Sequence, residues 1–263
     1  MVTQMSSYLA FGGCSHDQIN PFDPADSNLW RKAEYLGRYL FAADFLNQRH
    51  PAAVADISCG VGYGTIELCR VAGTVVGVDS SRELIERACK EIQNKNISFI
   101  RKDLEHESLT PDVGEGSIDA VVSFETLEHL VDPKRAVSQF HQILRPGGFF
   151  ICSVPNILSE SGDSAGLPRN KSHKQWFSFE SLRRMVEAQG MKVVYRLGQS
   201  WSKALFRREQ QLLNAKRISR RLSDEPIMHT EEMIRYLSYV TAYPTVEDVD
   251  GSYSIVIVAQ KDF

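Results

Sequence analysis

The stretch D-I-S-C-G-V-G-Y-G, Asp56 to Gly64, decides the reading of this chain. The run V-A-D-I at 54–57 leads into it as a short apolar strand that ends on an acid. Gly60, Gly62 and Gly64 then permit a tight turn and a close approach of backbone to a ligand, and a helix over about 64–72 follows. The N-terminus of such a helix offers unpaired N–H donors to an anionic group. About twenty residues on, T-V-V-G-V-D at 74–79 reads as a second strand ending on Asp79, where an acid accepts bonds from a ribose diol. A dinucleotide fingerprint would need Gly or Ala three residues after Gly62; Thr65 stands there, so the expected ligand lacks a pyrophosphate.

Outward from this loop the chain alternates strand and helix. Apolar residues at helical spacing predict a helix over 29–47, and Ser81 caps another that runs to about 94. Strands are expected at 97–100, 117–124, 149–154 and 191–197, with helices at 133–144 and 179–188 between them. R-P-G-G at 145–148 is a stop-and-turn signal. A last strand at 253–259 has no helix directly before it, so antiparallel pairing at the sheet edge is expected. This order implies right-handed crossovers and a doubly wound, mostly parallel α/β sheet of seven strands with helices on both faces. Residues 1–27, rich in Gly, Pro, Asp and Asn, read as an N-terminal arm. Residues 28–263 read as one domain, with 200–250 as a helical lid inserted between the last two strands.

A net charge of −3 over 263 residues argues against broad nucleic-acid binding. The five cysteines, Cys14, Cys59, Cys69, Cys89 and Cys152, form no C-x-x-C pair, a pattern that fits a reducing cytoplasm rather than a disulfide framework or zinc cluster. The first residues carry no basic-then-apolar leader, and no apolar run approaches membrane-spanning length.

The loop, Asp79, the pair Lys102–Asp103, the strand ending S-F-E and R-P-G-G together resemble the class I S-adenosylmethionine-dependent methyltransferases. The likeness covers about 29–197 and the last strand. It implies a Rossmann-like methyltransferase fold with S-adenosylmethionine as cofactor. Asp56 would orient the cofactor's amino group, Gly60, Gly62 and Gly64 its methionine part, Asp79 its ribose and Asp103 its adenine amine. Phe124 and Glu125 would line its open side, and Ser58, Thr65, Ser80, Lys102 and Leu104 complete the surroundings. Ser58 departs from the family pattern, which has glycine there. The stretch Y-L-G-R-Y-L at 35–40 resembles a preceding helix whose Tyr or Arg reaches the cofactor's carboxylate, which makes Tyr39 a candidate contact.

F-E-T-L-E-H-L at 124–130 follows the fourth strand at once. If the chain turns helically there, Glu125, Glu128 and His129 stand at i, i+3 and i+4 on one face, at the strand ends where open sheets carry their sites. Paired carboxylates repel unless a proton or cation lies between them. His173, in R-N-K-S-H-K-Q-W-F-S, is a further ligand candidate. E-x-x-E-H followed by H-K-x-x-F resembles two metal-dependent branches of the family: the ubiquinone-pathway O-methyltransferases and the small-RNA 2′-O-methyltransferases. That resemblance assigns Glu125, Glu128, His129 and His173 as ligands of Mg²⁺ or Mn²⁺. Without a metal, His129 with Glu128 is the catalytic pair and His129 or His173 the general base; a purely structural role is the third reading. The expected reaction is methylation of a hydroxyl on a small-molecule acceptor, a sugar, natural product or phenol. The alternatives are an RNA 2′-O-methyltransferase and a cofactor-binding protein without activity. Lys203, Arg207, Arg208, Lys216, Arg217, Arg220 and Arg221 form a late basic segment against the single acid Glu209. It suits RNA phosphates, a nucleotide-linked sugar or a membrane surface, and equally a solvated helix in a substrate lid or a homodimer contact.

Overall fold

The computed structural model describes residues 20–159, 170–199, 201–246 and 251–263. Most of the expected arm, residues 1–19 with Cys14, lies outside them. The elements run α1 (Leu29–Asn47), β1 (Ala53–Ile57), α2 (Tyr63–Cys69), β2 (Thr74–Asp79), α3 (Arg82–Glu91), β3 (Ile97–Arg101), α4 (Thr110–Val113) and β4 (Ile118–Phe124). After them come α5 (Pro133–Ile143), β5 (Leu144–Pro155), α6 (Phe179–Glu187), β6 (Met191–Gln199), α7 (Trp201–Asn214), α8 (Glu231–Thr241) and β7 (Ser254–Lys261). Helix starts follow local chemistry. Ser81 accepts the Leu84 N–H at α3, Asp132 accepts the Arg135 N–H at α5 ahead of Pro133, and Ser178 with Ser181 closes a capping box at α6.

The seven strands form one sheet in the order β3-β2-β1-β4-β5-β7-β6. β1 to β5 are parallel to one another, whereas β7 runs antiparallel to both β5 and β6. The last strand is therefore interior, a correction to the expected edge position; β6 takes the edge. Its composition fits the interior: Ile255 to Ala259 are all buried, as a strand covered on both faces requires. α5 ends at Ile143, just before R-P-G-G, as expected; β5 starts at Leu144, and its pairing with β4 shifts register across this stretch, with Gly147 at a φ of 73°.

The chain divides into two compact units. The larger, residues 38–200 and 244–263, holds the whole sheet. Its core packs Ile57, Val121, Phe140, Phe150, Cys152, Leu182 and Ile257, each at zero exposure. The smaller unit joins the described residues up to Gly37 with Trp201–Tyr243, including α7, α8 and two 3-10 turns. In it the Lys32 ammonium donates to the Asp23 carbonyl at 2.6 Å, and Gly37 faces the Ala242 carbonyl with no room for a Cβ. Among the described residues, no helix is long and apolar enough to cross a membrane.

Candidate functional site

β1 delivers Asp56 to the carboxyl edge of the sheet, fully buried. One of its oxygens accepts from the Tyr39 hydroxyl at 3.0 Å and the other from the Thr65 hydroxyl at 2.6 Å. Burial pushes the carboxyl up to about 7, further than the two donors pull it back, and the nearby Asp79 adds to the rise. Tyr39 thus serves the acid directly. Its ring stands edge-on between Tyr63 and Phe124, at 5.2 and 5.0 Å, and Gly64 leaves it the space, since a Cβ there would fall 2.1 Å from the ring.

Past Asp56 the backbone turns left-handed at Ser58 (φ 59°), Gly60 (φ 57°) and Gly62 (φ 83°). Ser58 carries a side chain where that conformation favours glycine, at a cost of about 1 kcal/mol. The Gly60 N–H donates to Asp79 at 2.9 Å and the Ser81 N–H to its other oxygen at 2.9 Å, so Asp79 ties the loop to the end of β2 and keeps lone pairs for a diol. Space opens above Gly60, which meets nothing within 4 Å of a Cβ position. Beside it lies a cleft of about 310 Å³, its open mouth included, lined by Ile57, Ser58, Asp79, Ser80, Asp103 and Leu104, with Lys102 and Leu130. Six residues expected around a cofactor, from three separate stretches of chain, meet on this one surface. Asp103 is held below the usual carboxylate range chiefly by the His106 ring at 2.9 Å. The Lys102 ammonium pairs with Asp112 at 2.7 Å.

Glu125 parts from the cluster proposed for it. The chain leaves β4 with Glu125 at φ 48° and then makes only a single 3-10 turn, Leu127–His129. No α-helical face forms to align i, i+3 and i+4, because a left-handed residue interrupts it. One Glu125 oxygen is instead met by the Arg38 guanidinium at 2.8 Å, the Ser153 hydroxyl at 2.7 Å and the Ser254 hydroxyl at 3.0 Å. Arg38, the Arg of the Y-L-G-R-Y-L stretch, is 1% exposed and pairs with Glu125, whereas the resemblance suggested that the Tyr or Arg of that stretch meets the cofactor's carboxylate.

Glu128, His129 and His173 do come together: one ligand atom from each lies within 4.8 Å of the others. Glu128 is 1% exposed and faces His129 Nε2 at 3.8 Å. His129 Nδ1 donates to the Ser172 carbonyl at 3.2 Å, since a carbonyl only accepts, and this leaves the Nε2 lone pair toward Glu128. The rings of His129 and His173 meet edge-on at 5.0 Å. The Lys174 and Gln175 N–H groups donate to the Glu128 carbonyl at 2.6 and 3.1 Å, binding the His173 segment to the 3-10 turn. Asn170 spends its amide oxygen on Ser172 and turns its nitrogen to His173 Nε2 at 2.9 Å.

One buried carboxylate and two imidazoles, one of them oriented by a backbone carbonyl, are a donor set that fits a divalent cation. His173 would exchange its Asn170 bond to bind through Nε2. Leu130, the next residue after His129, lines the cleft, so the group borders the surface that gathers the cofactor residues.

Among curated relatives, a probable S-adenosylmethionine-dependent methyltransferase of Mycolicibacterium smegmatis is 31% identical over 146 residues, which cover 55% of this chain and 54% of that protein. A ubiquinone biosynthesis O-methyltransferase of Dinoroseobacter shibae is 27% identical over 76% of this chain and 89% of its own length. The chain spans about half the length of the first of the curated relatives it matches. The solved structure of an S-adenosylmethionine-dependent methyltransferase from Mesorhizobium loti superposes with a TM-score of 0.56 at 17% identity, covering 87% of this chain and 98% of that one. That likeness speaks for the fold, and the fold is the seven-stranded Rossmann-like methyltransferase sheet. The family model described as a methyltransferase domain matches residues 28–196, and on that match the chain belongs to the methyltransferase-domain family.

Proposed function

We propose that this protein transfers the methyl group of S-adenosylmethionine to a hydroxyl of a small-molecule acceptor, with a divalent cation, Mg²⁺ or Mn²⁺, at Glu128, His129 and His173. The observation that carries the reading is the meeting of this acid–imidazole group with the cleft at Leu130. Asp56 would hold the cofactor's ammonium, the loop from Ser58 to Gly64 its methionine part, Asp79 its ribose and Asp103 its adenine amine.

A bound cation would lower the pKa of a coordinated hydroxyl and orient its oxygen. The protein's own residues do the rest. Glu128 would supply a carboxylate oxygen to the cation and Ser172 locks His129 in one tautomer; the hydroxyl's proton passes to solvent where a cation holds His129 Nε2, and to His129 Nε2 where no cation intervenes. The oxygen then forms a bond to the methyl carbon while the methyl carbon–sulfur bond breaks, and S-adenosylhomocysteine leaves with the electron pair on its sulfur. The ubiquinone-pathway relatives, by their printed names O-methyltransferases, support oxygen as the acceptor atom.

The test is calorimetric titration of Mn²⁺ into protein saturated with S-adenosylhomocysteine, beside His173→Ala, with labelled methyl transfer measured on catechol and amine panels. One-site binding that weakens at least tenfold in the variant, with label on hydroxyls only, is expected. Label on amines would sink the oxygen assignment. Absence of Mn²⁺ binding in both proteins would return the chemistry to His129 alone.

A further inference from the structure

The basic stretch after β6 has no part in the chemistry above. Arg207, Arg208, Lys216 and Arg217 are all exposed, and none makes an ion pair among the described residues. The acids nearby do little to oppose them. Glu209 turns its carboxylate inward onto the Leu222 and Ser223 N–H groups and the Ser223 hydroxyl, at 2.8, 3.2 and 2.7 Å. Glu225 pairs with Arg220 at 3.2 Å, which leaves Asp224 exposed against the four cations.

The turn that ends α7 sharpens the case. Lys216 N–H reaches the Leu213 carbonyl and Arg217 N–H the Leu212 carbonyl, a closing motif whose left-handed position is usually glycine. Here Lys216 holds that position at φ 54°, so the chain accepts backbone strain to place a cation there. A groove lined by Leu213, Lys216, Arg217, Ile218 and Ser219 opens beside it. Two large apolar side chains of the following 3-10 turns also face solvent: Leu222 at 63% and Ile227 at 62% exposed.

A single stretch that exposes both unpaired cations and aliphatic groups suits a partner that supplies anionic groups and an apolar layer together. Nucleic acid supplies the first, but no aromatic residue stands between 207 and 229 for bases to stack on. An anionic bilayer supplies both, with phosphates at the headgroups and an acyl boundary beneath. The whole chain carries a net charge of −3 with these cations included, so the rest is more acidic still and would turn this patch toward such a surface. We propose that the smaller unit docks on anionic lipid bilayers through Arg207, Arg208, Lys216 and Arg217, with Leu222 and Ile227 entering the interfacial layer. This docking does not depend on the methyl-transfer reading.

Flotation of the full chain with vesicles tests it, comparing equal parts phosphatidylglycerol and phosphatidylcholine with phosphatidylcholine alone. Binding is expected on the mixed vesicles only and should weaken as salt rises. Each cation removed costs about fivefold, so Arg208→Ser with Lys216→Ser and Arg217→Ser should weaken binding about 100-fold. Leu222→Ser with Ile227→Ser should weaken it at every salt concentration, while S-adenosylhomocysteine affinity stays at the wild-type value in both variants. The proposal is overturned by equal binding to both vesicle types, by absence of binding, or by a triple-serine variant that floats like wild type. It is also overturned if a single-stranded RNA oligonucleotide binds under conditions where mixed vesicles do not.

Discussion

Asp56 concentrates the electrostatics of the larger unit in one carboxyl. Its pKa of about 7 in the folded chain stands against an ordinary 3.8, so the folded protein holds a proton that the unfolded chain releases above that value. The sign follows: the stabilising contribution is complete below pH ~4 and is lost as pH rises through about 7. Thermal unfolding of the cofactor-free protein should therefore show a melting temperature that falls between pH 5 and 8. Asp56→Asn should flatten that slope and weaken S-adenosylhomocysteine binding by roughly tenfold or more, since a neutral amide cannot pair with an ammonium. An unchanged slope in the variant would mean that another group titrates. The importance of Asp56 was legible because the motif is local, strand, acid and glycine loop in sequence order. Its neighbours were less so: Tyr39 reaches it from 17 residues away and bonds the acid, where the resemblance suggested the cofactor's carboxylate.

At the scale of elements, two turns decide the site's shape. The glycine loop turns as its spacing predicts, and its third glycine is required by a ring rather than by φ. Gly64→Ala would drive a Cβ into Tyr39, so it should cost about 2 kcal/mol in denaturant unfolding. Combining it with Tyr39→Leu, which removes the obstructing ring atoms, should recover part of that loss. If the double variant is less stable by the plain sum of the two, the contact is not the cause. The turn after β4 went otherwise. Helical spacing grouped Glu125 with Glu128 and His129, but Glu125 adopts a left-handed backbone and is held by Arg38, Ser153 and Ser254 from three other elements. Those partners lie in α1, β5 and β7, and only the folded sheet brings them to the same edge.

For the whole molecule the position of β7 matters most. As the chain's last strand it fills the gap between β5 and β6 and pairs with both along most of its length. A chain cut before Ser254 would leave β6 without a ladder partner and β5 paired with β4 alone, and would open the core at Ile255, Ile257 and Ala259. Such a truncation should lose the near-UV circular dichroism of the intact protein and unfold without a cooperative transition. Retention of a cooperative melt would show that β6 can stand beside β5 unaided.

Sequence alone was enough for the alternation of strands and helices, the cap at Ser81, and the acids at the ends of β1 and β2. All of these depend on residues a few positions apart, where periodicity and turn chemistry act directly. Tertiary structure alone decided that β7 is interior, that Arg38 takes Glu125, and that the His129 ring bonds a carbonyl 43 residues further along. Those outcomes follow from which apolar faces the sheet must cover and which buried charges must be paired.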